Sequence, residues 1–119
     1  MATNANWTVV FDDKIIIKQG ASTGYIIDND SFWNQSKFSN IWALQYQTPV
    51  TTDEVEYRDT TPNGTYADAN LGDFQQFIDL WDSAHLTRLQ NEWDNDVVDG
   101  ETEAEKIARL GERPTSYSS

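Results

Sequence analysis

The chain has no cysteine, which removes a disulfide framework, a thiolate metal site and a cysteine nucleophile together. Cations are also scarce: 8 Lys and Arg stand against 20 Asp and Glu, for a net charge of −12. A surface this acidic repels phosphate backbones, and no Lys/Arg cluster offsets it, so direct nucleic-acid binding is not expected. The 6 glycines include no GxGxxG or GxxxxGK pattern, which leaves nucleotide binding without support. The longest aliphatic run, Ile15-Ile16-Ile17, is far too short to span a bilayer, so no membrane insertion is expected. The start "MATNANW" lacks the basic and apolar pattern of an export signal. "NWT", "NQS" and "NGT" therefore read as chance matches to a glycosylation acceptor.

Aromatic residues are plentiful. They make up 13% of 119 residues, within a hydrophobic share of 38%. Few large rings, rather than many aliphatic side chains, must fill the core of what the length makes a single domain. Tryptophans stand at Trp7, Trp33, Trp42, Trp81 and Trp93, and rings this large are rarely all fully buried.

The pattern predicts strands first. "WTVVF" (Trp7–Phe11) and "KIIIK" (Lys14–Lys18) are β-rich runs separated by Asp12-Asp13. That spacing suggests a tight hairpin, although Asp-Asp is a weak primed-turn pair and a longer loop also fits. "YIID" (Tyr25–Asp28) is a short strand candidate. "DNDS" (Asp28–Ser31) then supplies N-cap residues for a helical turn starting at Phe32. In "IWALQYQ" (Ile41–Gln47), strict alternation places Trp42, Leu44 and Tyr46 on one face; in "EVEYRD" (Glu54–Asp59) it pairs Val55 with Tyr57. One apolar and one wet face indicate antiparallel sheet over a core. "TPVTTD" suits the loop between them, and "TTPNGTY" reads as a turn.

The period then changes. Phe74, Phe77, Ile78, Trp81, His85 and Leu89 share a helical stripe, predicting a helix from about Leu71 to about Trp93, with Asn70 and Asp73 as a weak capping box. From Glu92 to Glu105 there are seven acidic residues and no basic one. "TEAEKIARL" (Thr102–Leu110) predicts a short helix with Glu105 and Arg109 spaced as an ion pair, stopped by Gly111 and Pro114. The expected architecture is α+β: an antiparallel four- to five-stranded sheet packed on one long helix. Residues 1–95 form the domain, and residues 96–119 an acidic link, short helix and tail.

Reaction chemistry finds no foothold. His85, the one histidine, lies on the apolar stripe without a second nitrogen ligand and reads as a core-edge residue. "DNDVVDG" fits no register of a calcium loop, since Val98 or Val97 falls where an oxygen ligand is needed. Asp53, Glu54, Glu56, Asp59, Asp79 and Asp82 are raw material for an acid/base pair, but spacing selects none. No catalytic residue, cofactor or metal site is expected. Phe32, Trp33 and Phe38 sit on an element without clear period and are the candidate partner-binding residues; for Trp33 a core lid or a glycan platform are the other readings.

The segments "IWALQYQTP", "EVEYRDTTPNGTY" and "LGDFQQFIDLWDSA", in this order after "WTVVF", resemble small tail-region proteins of tailed bacteriophages. The end "RLGERPTSYS" is similar to endings of phage tail-fibre assembly proteins. The resemblance runs from about Trp7 to Ala84 and implies a context, not a catalytic residue. The chain would be a non-enzymatic structural or adaptor component of the virion tail or tail fibre, made in the host cytoplasm. Its partners would be other phage structural proteins in many copies. A tail-fibre assembly chaperone absent from the mature particle, with the acidic segment Glu92 to Glu105 facing a basic partner, is the first alternative; a glycan-binding module is the second.

Overall fold

The computed structural model describes residues 5–19, 23–48, 52–66, 69 and 71–118. In chain order it contains β1 (Ala5–Val10), β2 (Ile15–Lys18), β3 (Thr23–Ile26), α1 (Asp30–Trp33), a 3-10 turn (Ser36–Phe38), β4 (Ile41–Thr48), β5 (Thr52–Tyr57), α2 (Gln75–Asn95) and α3 (Glu103–Leu110). The strands form one antiparallel sheet ordered β3-β2-β1-β4-β5. The chain is therefore α+β, with five strands, one long helix and a short C-terminal helix.

Local chemistry fixes several boundaries. Val10 pairs with Ile15, so the first hairpin closes through the four residues Phe11–Lys14 rather than through Asp12-Asp13 alone. The left-handed position falls on Lys14, at φ 55. Its carbonyl accepts from the Ile27 backbone N–H at 2.9 Å, which closes that end of the sheet. Asn29 caps α1, its Oδ1 accepting from the Phe32 N–H at 3.2 Å. The long helix starts at Gln75, not Leu71. Gly72 sits at φ 85, where no right-handed helix can continue. Asp73 Oδ1 accepts from the Gln75 N–H at 2.9 Å; Asn70 lies outside the described residues.

The register places one set of side chains toward the helix. Tyr25, Ile16, Val9, Leu44 and Val55 form one inner row across the sheet; Thr23, Lys18, Trp7, Tyr46 and Asp53 form the next. Trp7, Ile16, Val9, Leu44, Val55, Phe74, Phe77 and Trp81 are all buried. Trp7 meets Trp81 edge-on at 5.7 Å, Phe11 meets Phe77 at 6.1 Å, and Tyr46 stacks on Phe74 at 4.0 Å. Such pairs add about 0.5–1.5 kcal/mol each beyond their buried area. The Lys18 ammonium lies over Trp7 and Trp81, at 5.6 and 5.3 Å.

One expected core residue is on the other side. Trp42 is 48% exposed, while Ile41 is buried. A β-bulge between Ile41 and Ala43 explains this: Ile41 pairs with Tyr57, but Ala43 pairs with Glu56. The extra residue shifts the period-two pattern by one, so Ile41 takes the inward place and Trp42 turns out.

The C-terminal region returns along α2. Trp93 Nε1 donates to the Gly111 carbonyl at 3.0 Å, Gln90 Nε2 donates to the Pro114 carbonyl at 3.0 Å, and Tyr117 packs on His85 at 4.5 Å. Glu105 does not pair with Arg109. It completes a capping box with Thr102, and Arg109 reaches back to Asp96 at 2.9 Å and Glu101 at 2.8 Å. Arg113 holds Asp94 at 2.9 Å.

Two outcomes follow from this packing. Trp81→Ala removes a fully buried ring that also donates to the Thr23 carbonyl, and a thermal melt should show a loss of ~3–5 kcal/mol; an unchanged melt would contradict the core described. Hydrogen bonds from Arg109 and Arg113 hold the carboxyls of Glu101 and Asp94 below the usual carboxylate range. A depressed folded-state value gives stability that is present above that range and lost as pH falls through it. Trp93 fluorescence should therefore change in acid before the near-UV signal of the core does, and simultaneous loss of both would show that the C-terminal region has no separate transition.

Candidate interaction surface

The three residues singled out as a contact surface form a lid on the core instead. Trp33 is 7% and Phe38 3% exposed. Phe32 is half-buried against them, and the Trp33 Nε1 donates to the Ile27 carbonyl at 2.9 Å. Phe11 contacts Trp33 at 5.5 Å and Phe38 at 5.1 Å. The irregular period of "SFWNQSKF" reflects a short helix followed by a 3-10 turn that closes the end of the sandwich, not an exposed loop. Burial of these rings argues against a free contact surface there.

Among the described residues, exposed apolar side chains lie in the C-terminal region, at Val97, Val98 and Leu110, and on the opposite side of the sheet. Alternation from the buried inner rows puts Ile26, Ile15, Val10, Ala43 and Glu56 in one outer row, and Gly24, Ile17, Thr8, Gln45 and Glu54 in the next. Ile26 is 72% exposed, and Val10, Ile15 and Ile17 are half-buried. With Trp42 turned outward by the bulge, the first row is an aliphatic stripe with an aromatic ring beside it. Gly24 lets this stripe pack flat: a Cβ there would stand 2.8 Å from Ile17 Cγ1 and 3.2 Å from Ile15 Cδ1. The second row becomes polar at its centre, where Thr8 Oγ1 donates to Gln45 Oε1 at 2.8 Å and accepts from Gln19 Nε2 at 2.6 Å.

Carboxylates border the stripe. Glu56 and Glu54 end the two rows on β5, and Asp12 and Asp13 occupy the turn joining β1 to β2. Two cations lie at this end of the sheet and both are engaged: Arg58 pairs with Asp12, and Lys14 pairs with Asp30 at 2.9 Å. None of the ion pairs among the described residues involves Asp13, Asp28, Glu54 or Glu56.

Adhesion through the sheet edge is partly closed off. Val55 on β5 exchanges both backbone hydrogen bonds with Gly64, at 2.8 and 3.1 Å. The expected "TTPNGTY" turn thus folds back to cover part of that edge, a common protection of an exposed strand.

The remaining candidate chemistry is scattered. His85 stacks on Trp81 at 4.7 Å, and its Nδ1 lies 2.6 Å from the Tyr25 hydroxyl, which agrees with a core-edge role. An open cleft beside Tyr46, Asp53, Tyr66 and Asp73 is floored by the Tyr46–Phe74 stack. Burial pushes the Tyr66 hydroxyl up to about 12, so at neutral pH it is a hydrogen-bond donor and not a base. No group of three or more metal-ligating side chains gathers among the described residues. Nor is any helix among them long and apolar enough to cross a membrane.

Comparison with protein-family models, with curated proteins and with solved structures found no match.

The exposure of Trp42 has a direct check. Trp42→Gln should cost no more than about 1 kcal/mol in a thermal melt, as expected of a surface position outside any network. A loss of the size expected for Trp81→Ala would return Trp42 to the core.

Proposed function

We propose that this chain is a non-enzymatic structural or adaptor component of a tailed-phage particle, in the tail or tail-fibre region, acting through protein–protein contacts. The observation that carries the contact role is the outer sheet face, where Ile26 and Trp42 are exposed and Val10, Ile15 and Ile17 are partly exposed among the described residues. Exposed apolar surface of this kind, bordered by polar groups, marks interaction sites. The particle context rests on the resemblance of the segments Ile41–Tyr46, Glu54–Tyr57 and Asp73–Ala84 to phage tail-region proteins.

The two alternatives lose their footing in particular residues. The chaperone reading uses the acidic segment to meet a basic partner. That segment is largely answered in cis: Arg88 takes Glu92, Arg109 takes Asp96 and Glu101, and Arg113 takes Asp94. The glycan reading uses Trp33, which is buried.

Mass spectrometry of purified particles tests the proposal. The chain should be present in many copies per particle. Its presence in infected cells together with its absence from particles would refute the structural reading and favour a transient assembly role.

A further inference from the structure

The outer face also states what kind of partner it fits, and this inference rests on the protein-contact reading above, though not on residence in a particle. The stripe Ile26–Ile15–Val10–Ala43, with Trp42 beside it, ends at Glu56 on β5, with Glu54 next to it in the second row. At the turn end stand Asp12 and Asp13. Arg58 and Lys14 are already paired with Asp12 and Asp30. The five lysines and arginines outside Arg58, Lys14 and inward-facing Lys18 are Lys37, Arg88, Lys106, Arg109 and Arg113; none belongs to a strand of the sheet.

We infer that this face docks a different protein whose contact patch has an apolar centre bordered by Lys or Arg. Exposed Ile26 and Trp42, with partly exposed Ile15 and Val10, supply the apolar centre of such an interface, where charged residues are depleted. Glu54 and Glu56, on one side of one strand and free of ion pairs among the described residues, supply an acidic rim that a basic partner answers. A second copy of this chain is the poorer occupant. It carries the same −12 charge and the same acidic rim, so stacking two such faces adds like-charge repulsion to every contact. An anionic membrane surface is disfavoured by the same charge. The partly covered edge of β5 disfavours strand addition at that edge.

The test uses the full chain in the cells that naturally make it, with the photoreactive residue benzoylphenylalanine in place of Ile26, a position 72% exposed. After irradiation, the cross-linked peptide is sequenced. The expected adduct is a different protein, joined at an apolar residue flanked by Lys or Arg. Its yield should fall at least tenfold when Glu54→Lys and Glu56→Lys are combined, with the melting curve of the purified variant unchanged. Should that pair perturb folding, Glu54→Gln with Glu56→Gln is used, and a fall of at least threefold is expected. Cross-linking to a second copy, to an acidic or uncharged patch, or to nothing overturns the inference, as does a yield indifferent to both charge variants. Absence of the chain from particles would sink the tail-component reading alone, since this measurement is made in the cell.

Discussion

Phe77 is the point on which the structure turns. Its ring is fully buried and meets Phe11 from the turn after β1, Phe32 from α1, Phe38 from the 3-10 turn and Phe74, the residue before α2, with centroids 5.2–6.1 Å apart. The turn after β1 and the α1 to 3-10 lid, both distant in sequence, are fixed against one side chain of α2. One turn further on, Trp81 repeats the device toward Trp7 and Tyr25. A core built from rings that meet edge to face is directional as well as apolar. It sets where the helix crosses the sheet, and it requires the short helical segment after β3 to fold over as a lid.

That requirement redistributes function. Once Trp33 and Phe38 close the core, they are not on offer to a partner, and the inner face of the sheet is used up. The outer face remains, and its composition is unusual for a wet face: three of its positions on β1 and β2 are Val10, Ile15 and Ile17, and Ile26 extends the stripe onto β3. The bulge at the start of β4 adds Trp42 to the same side by inserting one residue into the pairing. A single backbone irregularity thus converts an expected core tryptophan into an exposed one on the outer face.

The charge distribution follows a similar division. The C-terminal acidic run looked like a lure for a basic partner, yet its carboxylates are mostly engaged by arginines of the same chain. Arg109 alone reaches both Asp96 and Glu101, and this network holds the returning segment along α2. Exposed ion pairs contribute little stability individually, so the segment is held by several weak contacts together with Trp93 and Tyr117. On the sheet, Glu54 and Glu56 have no ion-pair partner among the described residues, and the proposed docking depends on these two.

Much of the architecture was legible from local pattern. The period-two runs located β1, β2, β4 and β5, the helical stripe located α2, and the run Asp28–Ser31 offered the N-cap that Asn29 supplies, because capping is decided within four residues; the Thr102–Glu105 capping box was not legible, since the pattern pointed instead to helix and a Glu105–Arg109 pair. The run Ile15-Ile16-Ile17 also carried a readable sign of the outer face, since a strand with one wet side needs only its middle isoleucine buried. What the sequence by itself determined was therefore the type of each element and most of the residues able to fill a core. Tertiary structure decided which of those residues the core would take. Gly72 at positive φ shortened the helix, the β4 bulge expelled Trp42, and the shared contact with Phe77 drew Phe32, Trp33 and Phe38 inward. The bulge and the lid depend on pairing or packing between separate segments of the chain, which period and propensity do not encode, whereas the stop at Gly72 is local backbone chemistry.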